Sequence, residues 1–247
     1  MSVDTSGSDG IVPSAEPWAE RSAEPSAGPG VGPWRGPWPD DPAYDPELLA
    51  GGDRRNVVDR YRYLRVEAIV ADLDRTRHPL HVAIENWGHD FNIGSVVRTA
   101  NAFNVAEVHI LGRRRWNRRG AMVTDRYLHV RHHADVAGLA AWAGGAGVPL
   151  IGIDNVPGAV PLETFAFPRA CCLVFGQESN GLSAEAQKAC ATVLAITQFG
   201  STRSINAGAA GAIAMHAWIR EHGGHPGQPG QPGEPDPPGQ PSRPVRA

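Results

Sequence analysis

Residues 92–100, NIGSVVRTA, set one permanent cation, Arg98, just past the apolar pair Val96-Val97. A guanidinium there either rests in solvent or serves a pocket that needs a cation, as when charge develops during a reaction. A second stretch, FGQESNGLS (175–183), places Glu178 directly after an apolar run, where a carboxylate needs a specific partner. Its glycines, Gly176 and Gly181, do not have the G-x-G-x-x-G spacing, and no Gly-Lys-Ser/Thr follows them to make a phosphate loop. A strand-to-helix turn capped by Ser183 and a cofactor loop both fit. A third stretch, SINAGAAGAIAMHAWI (204–219), offers Ser204 as a helix N-cap. Asn206 at the head of that helix calls for a defined hydrogen-bond partner, and the small residues 207–211 let another backbone approach closely.

The densest charge is GRRRWNRRG (112–120), with Arg113, Arg114, Arg115, Arg118, Arg119 and Trp116 within nine residues. Guanidinium groups grip phosphate in a bidentate way, and both they and an indole stack on bases. Like charges this close repel unless a counter-anion is present, which points to RNA; a solvated loop in an arginine-rich chain is the plainer alternative. His132-His133 lack the i, i+4 spacing of a helical metal pair and read as a surface pair, so no metal site is expected. Cys171, Cys172 and Cys190 form no C-x-x-C motif, and they read as buried free thiols.

These groups must be held by elements. Residues 60–74 have helical spacing, with Tyr61, Leu64 and Ala68 on one stripe. Strands are expected at 80–85, 107–112, 148–154, 170–176 and 192–196, and helices at 92–104, 135–143, 183–190 and 204–221. Short apolar strands alternating with helices predict an α/β fold, a mainly parallel sheet with helices on both faces. Ligands of such sheets bind beyond the carboxyl ends of the strands. ENWGHDFNIGS, FGQESNGLS and TQFGSTRSINAG all fall at such ends. On a helical wheel Ile93, Val96, Val97 and Ala100 form the buried stripe, with Arg98 to one side beside Ser95.

The chain has 247 residues, and 17 of its 22 prolines lie in residues 1–52 and 223–247. Residues 1–53 are expected to be a disordered acidic arm and 223–247 a disordered tail, leaving one domain over 54–222. The arm carries net −8 and the tail zero; the chain total of −3 leaves +5 on the body. A basic body fits a polyanionic partner, and it fits a mixed solvated surface equally well. No apolar run approaches the ~18 residues of a membrane span, and no leader sequence is visible, so a soluble cytoplasmic protein is expected.

NIGSVVRTANAFNVAEVHILG, LVFGQESNGLS and AITQFGSTRSINAGAAGAIAMHAW, in that order, resemble the three motifs of the SpoU (TrmH) family of RNA ribose 2′-O-methyltransferases, in the SPOUT superfamily. The resemblance covers roughly residues 80–220. It implies a C-terminal trefoil knot, a homodimer, and S-adenosylmethionine bound within the knot. Gly176, Gly181, Ile196, Gln198 and Ile205 match cofactor-binding positions. Asn92, Arg98, Glu178, Ser204 and Asn206 match the polar residues of the catalytic centre. Ser179, Asn180, Gln198, Arg203 and Ile205 depart from the family's usual residues at their positions.

The resemblance implies methyl transfer to a ribose hydroxyl of tRNA or rRNA. A guanidinium is a poor proton acceptor, so Arg98 is expected to stabilise a developing alkoxide rather than act as base. Asn92 would orient the ribose or Arg98, Glu178 would fix the loops, and Ser204 and Asn206 would position the substrate. A non-catalytic RNA-binding or ribosome-assembly factor on the same fold is the alternative. A nucleotide-dependent α/β enzyme is disfavoured by the missing phosphate loop.

Overall fold

The computed structural model describes residues 30–86 and 92–224. In chain order these form α1 (Pro46–Gly51), α2 (Val66–Asp74), β1 (His78–Asn86), α3 (Ile93–Ala102), β2 (Val105–Gly112), β3 (Val130–His133) and α4 (Val136–Ala146). Then follow β4 (Leu150–Ile153), β5 (Val160–Pro161), β6 (Cys171–Phe175), α5 (Ala184–Ala189), β7 (Thr192–Ala195) and α6 (Ala207–His222). The strands make one sheet in the order β3-β2-β1-β6-β4-β7-β5, every neighbour parallel. The expected α/β architecture is therefore present. Because all strands run the same way, their carboxyl ends share one edge, and every loop leaving them starts there.

Strand side chains alternate between faces, so each apolar strand feeds two cores. Cys171, Leu173 and Phe175 of β6 join Leu80, Val82 and Ile84 of β1 beneath α3 and α6. Cys172 and Val174 face the other way, with Ala83 and Leu111, against Leu139 and Ala143 of α4 and Ala186 of α5. Adjacent Cys171 and Cys172 thus lie in opposite cores, and all three thiols are free. Burial pushes the Cys171 and Cys190 thiols up to about 12, which keeps them protonated.

The stripe read from the wheel is the buried face of α3: Ile93, Gly94, Val96, Val97 and Ala100 are covered, while Ser95 and Arg98 are exposed. Small residues do bring α6 close. A Cβ on Gly211 would stand 3.2 Å from a Val96 methyl, and one on Gly208 3.1 Å from Ser95 Cβ. Trp218, fully buried near the end of α6, donates its indole N–H to Pro168 O at 3.1 Å.

Several boundaries differ from expectation. The helix expected over 60–74 is α2 only; Tyr63 has φ +63, a left-handed residue that interrupts any helix there. Strand β3 is not among the strands expected, because an edge strand of four residues, mostly polar, has too little apolar alternation to announce itself.

Residues 30–53, expected to be part of a disordered arm, are folded against the domain. Val31 bridges Asp53, Trp34 packs edge-on to Tyr63 at 5.4 Å, and Leu49 is buried. Asp45 caps α1 through Glu47 N at 2.9 Å. Asp53, fully buried, accepts bonds from Arg55 Nη2 at 2.7 Å and Tyr63 N at 3.0 Å. A proline-rich, acidic composition hides such a strap because a few aromatics and one satisfied carboxylate suffice to pin it. Residues 1–29 and 225–247 lie outside the described residues.

Candidate active site

A cavity of about 570 Å³ opens at the shared carboxyl edge. Ile153 and Asp154 from the end of β4, Phe175 and Gly176 from the end of β6, and Ile196 and Gln198 beyond β7 line it. Ser204, Ile205 and Asn206, on the approach to α6, close the remaining side with Glu178 and Gly181 of the 176–181 loop. All five residues expected at a cofactor therefore share one cavity. So do three of the five expected at the reacting centre.

The loop after β6 is shaped by its glycines. Gln177 and Gly181 exchange backbone bonds of 3.0 and 2.8 Å. Gly181 has φ +65, and a Cβ there would overlap the Asp154 carboxylate; a Cβ on Gly176 would overlap the Gly181 carbonyl carbon and Leu182 N. Only glycine fits either place. Asp154, which the sequence reading did not single out, accepts Leu182 N at 2.7 Å and Asn155 N at 2.7 Å, so it ties the end of β4 to the close of the loop that follows β6. Asn155 Nδ2 reaches Arg203 O at 3.0 Å and ties in the third loop.

Behind the loop, Glu85 is fully buried and accepts Ser183 N at 2.8 Å and Ser183 Oγ at 2.6 Å. Ser183 Oγ in turn accepts Ala186 N at 3.1 Å, so Ser183 does cap α5. Glu85 was also missed. A glutamate ending an apolar strand was the available signal.

Asn206, not Ser204, caps α6: its Oδ1 accepts Gly208 N at 2.9 Å and Ala209 N at 3.2 Å. The capping position falls two residues later than expected because helical dihedrals begin only at Ala207. With its oxygen thus engaged, the Asn206 amide points its N–H₂ at Asn92 Oδ1, 2.9 Å away, and at Glu178 Oε1, 3.5 Å away. Three residues from three separate motifs meet at one amide. Ser204 is exposed, and its carbonyl accepts Thr202 Oγ1 at 2.8 Å.

Arg98 stands outside the cavity, exposed on α3, and forms no hydrogen bond or ion pair among the described residues. Residues 87–91, part of the stretch ENWGHDFNIGS, lie outside the described residues.

The arginine-rich segment leaves β2 at the same edge. Asn86 Nδ2, buried at the end of β1, donates to Arg113 O at 2.6 Å and Arg115 O at 3.1 Å. Farther on, Gly120 packs on Gly94, where a Cβ would come within 2.7 Å of the Gly120 Cα. The segment is thus pinned against the first turn of α3, with Arg113, Arg114, Arg115, Arg118 and Arg119 exposed. Arg118 pairs with Asp125 at 3.2 Å and lies over the Trp116 ring. Trp116 itself is half-buried and packed on the core, so its face is less open to a base than expected. Exposed Met122 and Val123, both left-handed, follow the segment, and the Phe199 ring beside Gln198 is 95% exposed.

A family model described as the SpoU rRNA Methylase family matches residues 79–216. The tRNA (guanosine(18)-2'-O)-methyltransferase of Escherichia coli (strain K12) is 26% identical over 158 residues, 63% of this chain and 68% of that protein. The A. aeolicus TrmH/SpoU tRNA modifying enzyme superposes with a TM-score of 0.57 at 18% identity, over 64% of this chain and 82% of that one. AviRb from Streptomyces viridochromogenes, a SpoU methyltransferase solved in complex with AdoMet, gives 0.54 at 22% identity, over 61% and 63%.

Proposed function

The chain belongs to the SpoU rRNA Methylase family, and from that premise we propose that it transfers a methyl group from S-adenosylmethionine to a ribose 2′-hydroxyl of a structured RNA, tRNA or rRNA. One observation carries the reading: Asn92, Glu178 and Asn206 converge at the rim of the cavity that the five cofactor candidates line.

The residues present suit S-adenosylmethionine. The cavity volume falls in the range of small-molecule sites. Its wall has apolar patches at Ile153, Phe175, Ile196 and Ile205 for flat or aliphatic parts of a ligand. Gln198 Oε1 is buried without a hydrogen-bond partner among the described residues, an acceptor suited to an amine or hydroxyl of a ligand. The bound cofactor would supply an activated methyl group on its sulfonium.

The chain's own contribution is alignment and electrostatics. Asn206, held by its cap and by Asn92, keeps one orientation without further ordering, which lowers the cost of placing the ribose. Glu178 fixes that amide from the other side. Arg98 meets the RNA from the surface of α3 and stabilises charge developing on the attacking oxygen, or grips an adjacent phosphate. Ser204 contacts the substrate from the third loop. The exposed arginines 113, 114, 115, 118 and 119 carry the RNA backbone to this edge, with Trp116 backing Arg118.

We further propose a homodimer and a trefoil-knotted path for the C-terminal loops. The apolar groove of Phe103, Phe165, Ile213 and Ala217 on the outer side of α6 supports the first; insertion of β6 between β1 and β4 supports the second. The catalytic unit is taken as residues 54–222, with 30–53 as its strap. No described helix is long and apolar enough to cross a membrane; a cytoplasmic location is proposed because the inferred RNA substrates reside there.

The test is incubation of purified protein with labelled S-adenosylmethionine and total RNA. Alkali-resistant dinucleotides carrying the label establish ribose methylation. Label found on a base instead overturns the 2′-O assignment. RNA binding by folded protein that takes up no cofactor favours a non-catalytic assembly factor.

A further inference from the structure

The sheet face beneath α4 carries a second polar cluster, far from the cavity. His81 of β1 stands directly opposite Glu107 of β2 in register, and His109 lies two residues along β2 on the same face. All three are on the face turned to Trp142 of α4, whose ring lies 4.9 Å from the His81 ring and 4.1 Å from the His109 ring. Five residues of strand separate His81 from the catalytic edge at Asn86, roughly 16 Å.

We propose that His81, Glu107 and His109 form a binding site for one divalent transition-metal ion of the Zn²⁺ class. Their candidate ligand atoms all lie within 4.8 Å of one another. His109 Nε2 stands 3.3 Å from His81 Nδ1 and 3.7 Å from Glu107 Oε2. Atoms bound tetrahedrally to one ion at about 2.0–2.1 Å lie about 3.3–3.4 Å apart, so the two imidazole nitrogens already stand at that spacing and the Glu107 carboxylate has to swing inward to join them. As a hydrogen bond, by contrast, 3.3 Å is long.

The surroundings orient the donors as an outer shell does. His109 Nδ1 and His133 Nε2 are 3.0 Å apart; a proton donated from Nδ1 leaves the Nε2 lone pair facing His81 and Glu107. Arg131 Nε and Nη2 both bind Glu107 Oε1 at 3.0 Å, which turns Oε2 toward His109 and also offsets part of the local positive charge. His133, read from the sequence as half of a surface pair, is in fact buried; only His132 keeps its place beside the basic segment, through a contact to Gly112 O at 2.6 Å. The spacing signal was invisible because the ligands come from two strands rather than one helix.

Two imidazoles and one carboxylate form a borderline donor set that selects Zn²⁺, Co²⁺ or Ni²⁺ over Mg²⁺ and Ca²⁺. Three protein ligands leave a position to solvent, and half-buried His81 gives an entry path. The ion would staple β1 to β2 and stabilise the fold in proportion to its occupancy.

The test uses the full, untagged chain after treatment with a chelator. Titration with Co²⁺ is expected to give the visible absorption of a four- or five-coordinate ion, saturating at one equivalent and displaced by Zn²⁺. Zn²⁺ should raise the melting temperature, and Mg²⁺ at the same concentration should not. His81→Gln and Glu107→Gln, both at partly buried positions, should each weaken metal binding at least tenfold, while His132→Gln leaves it unchanged. No uptake at micromolar metal, or uptake undiminished by both His81→Gln and Glu107→Gln, overturns the proposal.

Discussion

Asn206 Nδ2 donates to Asn92 Oδ1 at 2.9 Å, joining residues 114 positions apart in the chain. The same amide caps α6 through its oxygen. One side chain therefore has a stabilising half and a site-ordering half, and substitution can separate them.

Asn206→Asp keeps a good capping oxygen but loses the donor and sets a carboxylate beside Glu178. It should melt within a few degrees of the wild type, while ribose methylation falls at least tenfold. Asn206→Ala removes both halves, costing in addition about 1 kcal/mol of stability. Thermal melts paired with single-turnover methyl transfer check this; equal activity in Asn206→Asp and the wild type would exclude a positioning role.

Gly181→Ala forces a side chain onto a left-handed backbone and into the Asp154 carboxylate. Cofactor affinity, read by calorimetry, should fall tenfold or more, with a destabilisation of about 1–3 kcal/mol. Gly158, with φ +83 but open space around it, is the control: Gly158→Ala should leave cofactor binding intact.

Among the described residues Arg98 forms no hydrogen bond or ion pair that holds the fold, so the stability of Arg98→Ala should stay within about 0.5 kcal/mol of the parent. Turnover should be abolished with S-adenosylmethionine affinity retained. Lost cofactor affinity would instead make Arg98 a structural residue.

Replacing Arg113, Arg114 and Arg115 together by alanine should weaken RNA binding across sequences. The slope of log K against log salt should become shallower by about 2–3. Cofactor binding should not change, since none of the three lines the cavity. Filter binding at several salt concentrations measures both quantities.

Burial, then the neighbouring His81, His133 and Arg131, press the His109 pKa from 6.5 to about 3. Glu107 also faces it, beneath Trp142. A histidine depressed in the folded state binds its proton more tightly when unfolded, so its contribution is complete above pH 6.5 and is lost as pH falls toward 3. In metal-free buffer the melting temperature at pH 5 should lie roughly 5 °C below that at pH 7.5. Much of that difference should vanish in His109→Gln if the variant folds; His81→Gln, whose imidazole is depressed in the same direction by burial, gives a smaller effect to compare.

Local pattern made much of the frame legible. Runs such as LHVAIE and ACCLVF read as strands buried on both faces, and the four apolar residues of NIGSVVRTA fit the inner stripe of a helix, as the two cores bear out. Those periodicities pointed to the α/β class and allowed Arg98 an exposed place, while the cofactor candidates came from the resemblance of three motifs in order. The folded strap at 30–53 was hidden, since Asp53 and Trp34 find their partners only in space. So was the shift of the helix cap from Ser204 to Asn206, which depends on where the third loop runs.

What tertiary structure alone decided is which polar groups touch. Asp154 clasping Leu182, Glu85 holding Ser183, and His81 facing Glu107 across two strands all involve residues with no shared sequence period. The physical reason is the parallel sheet. Periodicity reports which face of its own element a residue occupies, whereas strand order and register decide which elements become neighbours at the carboxyl edge.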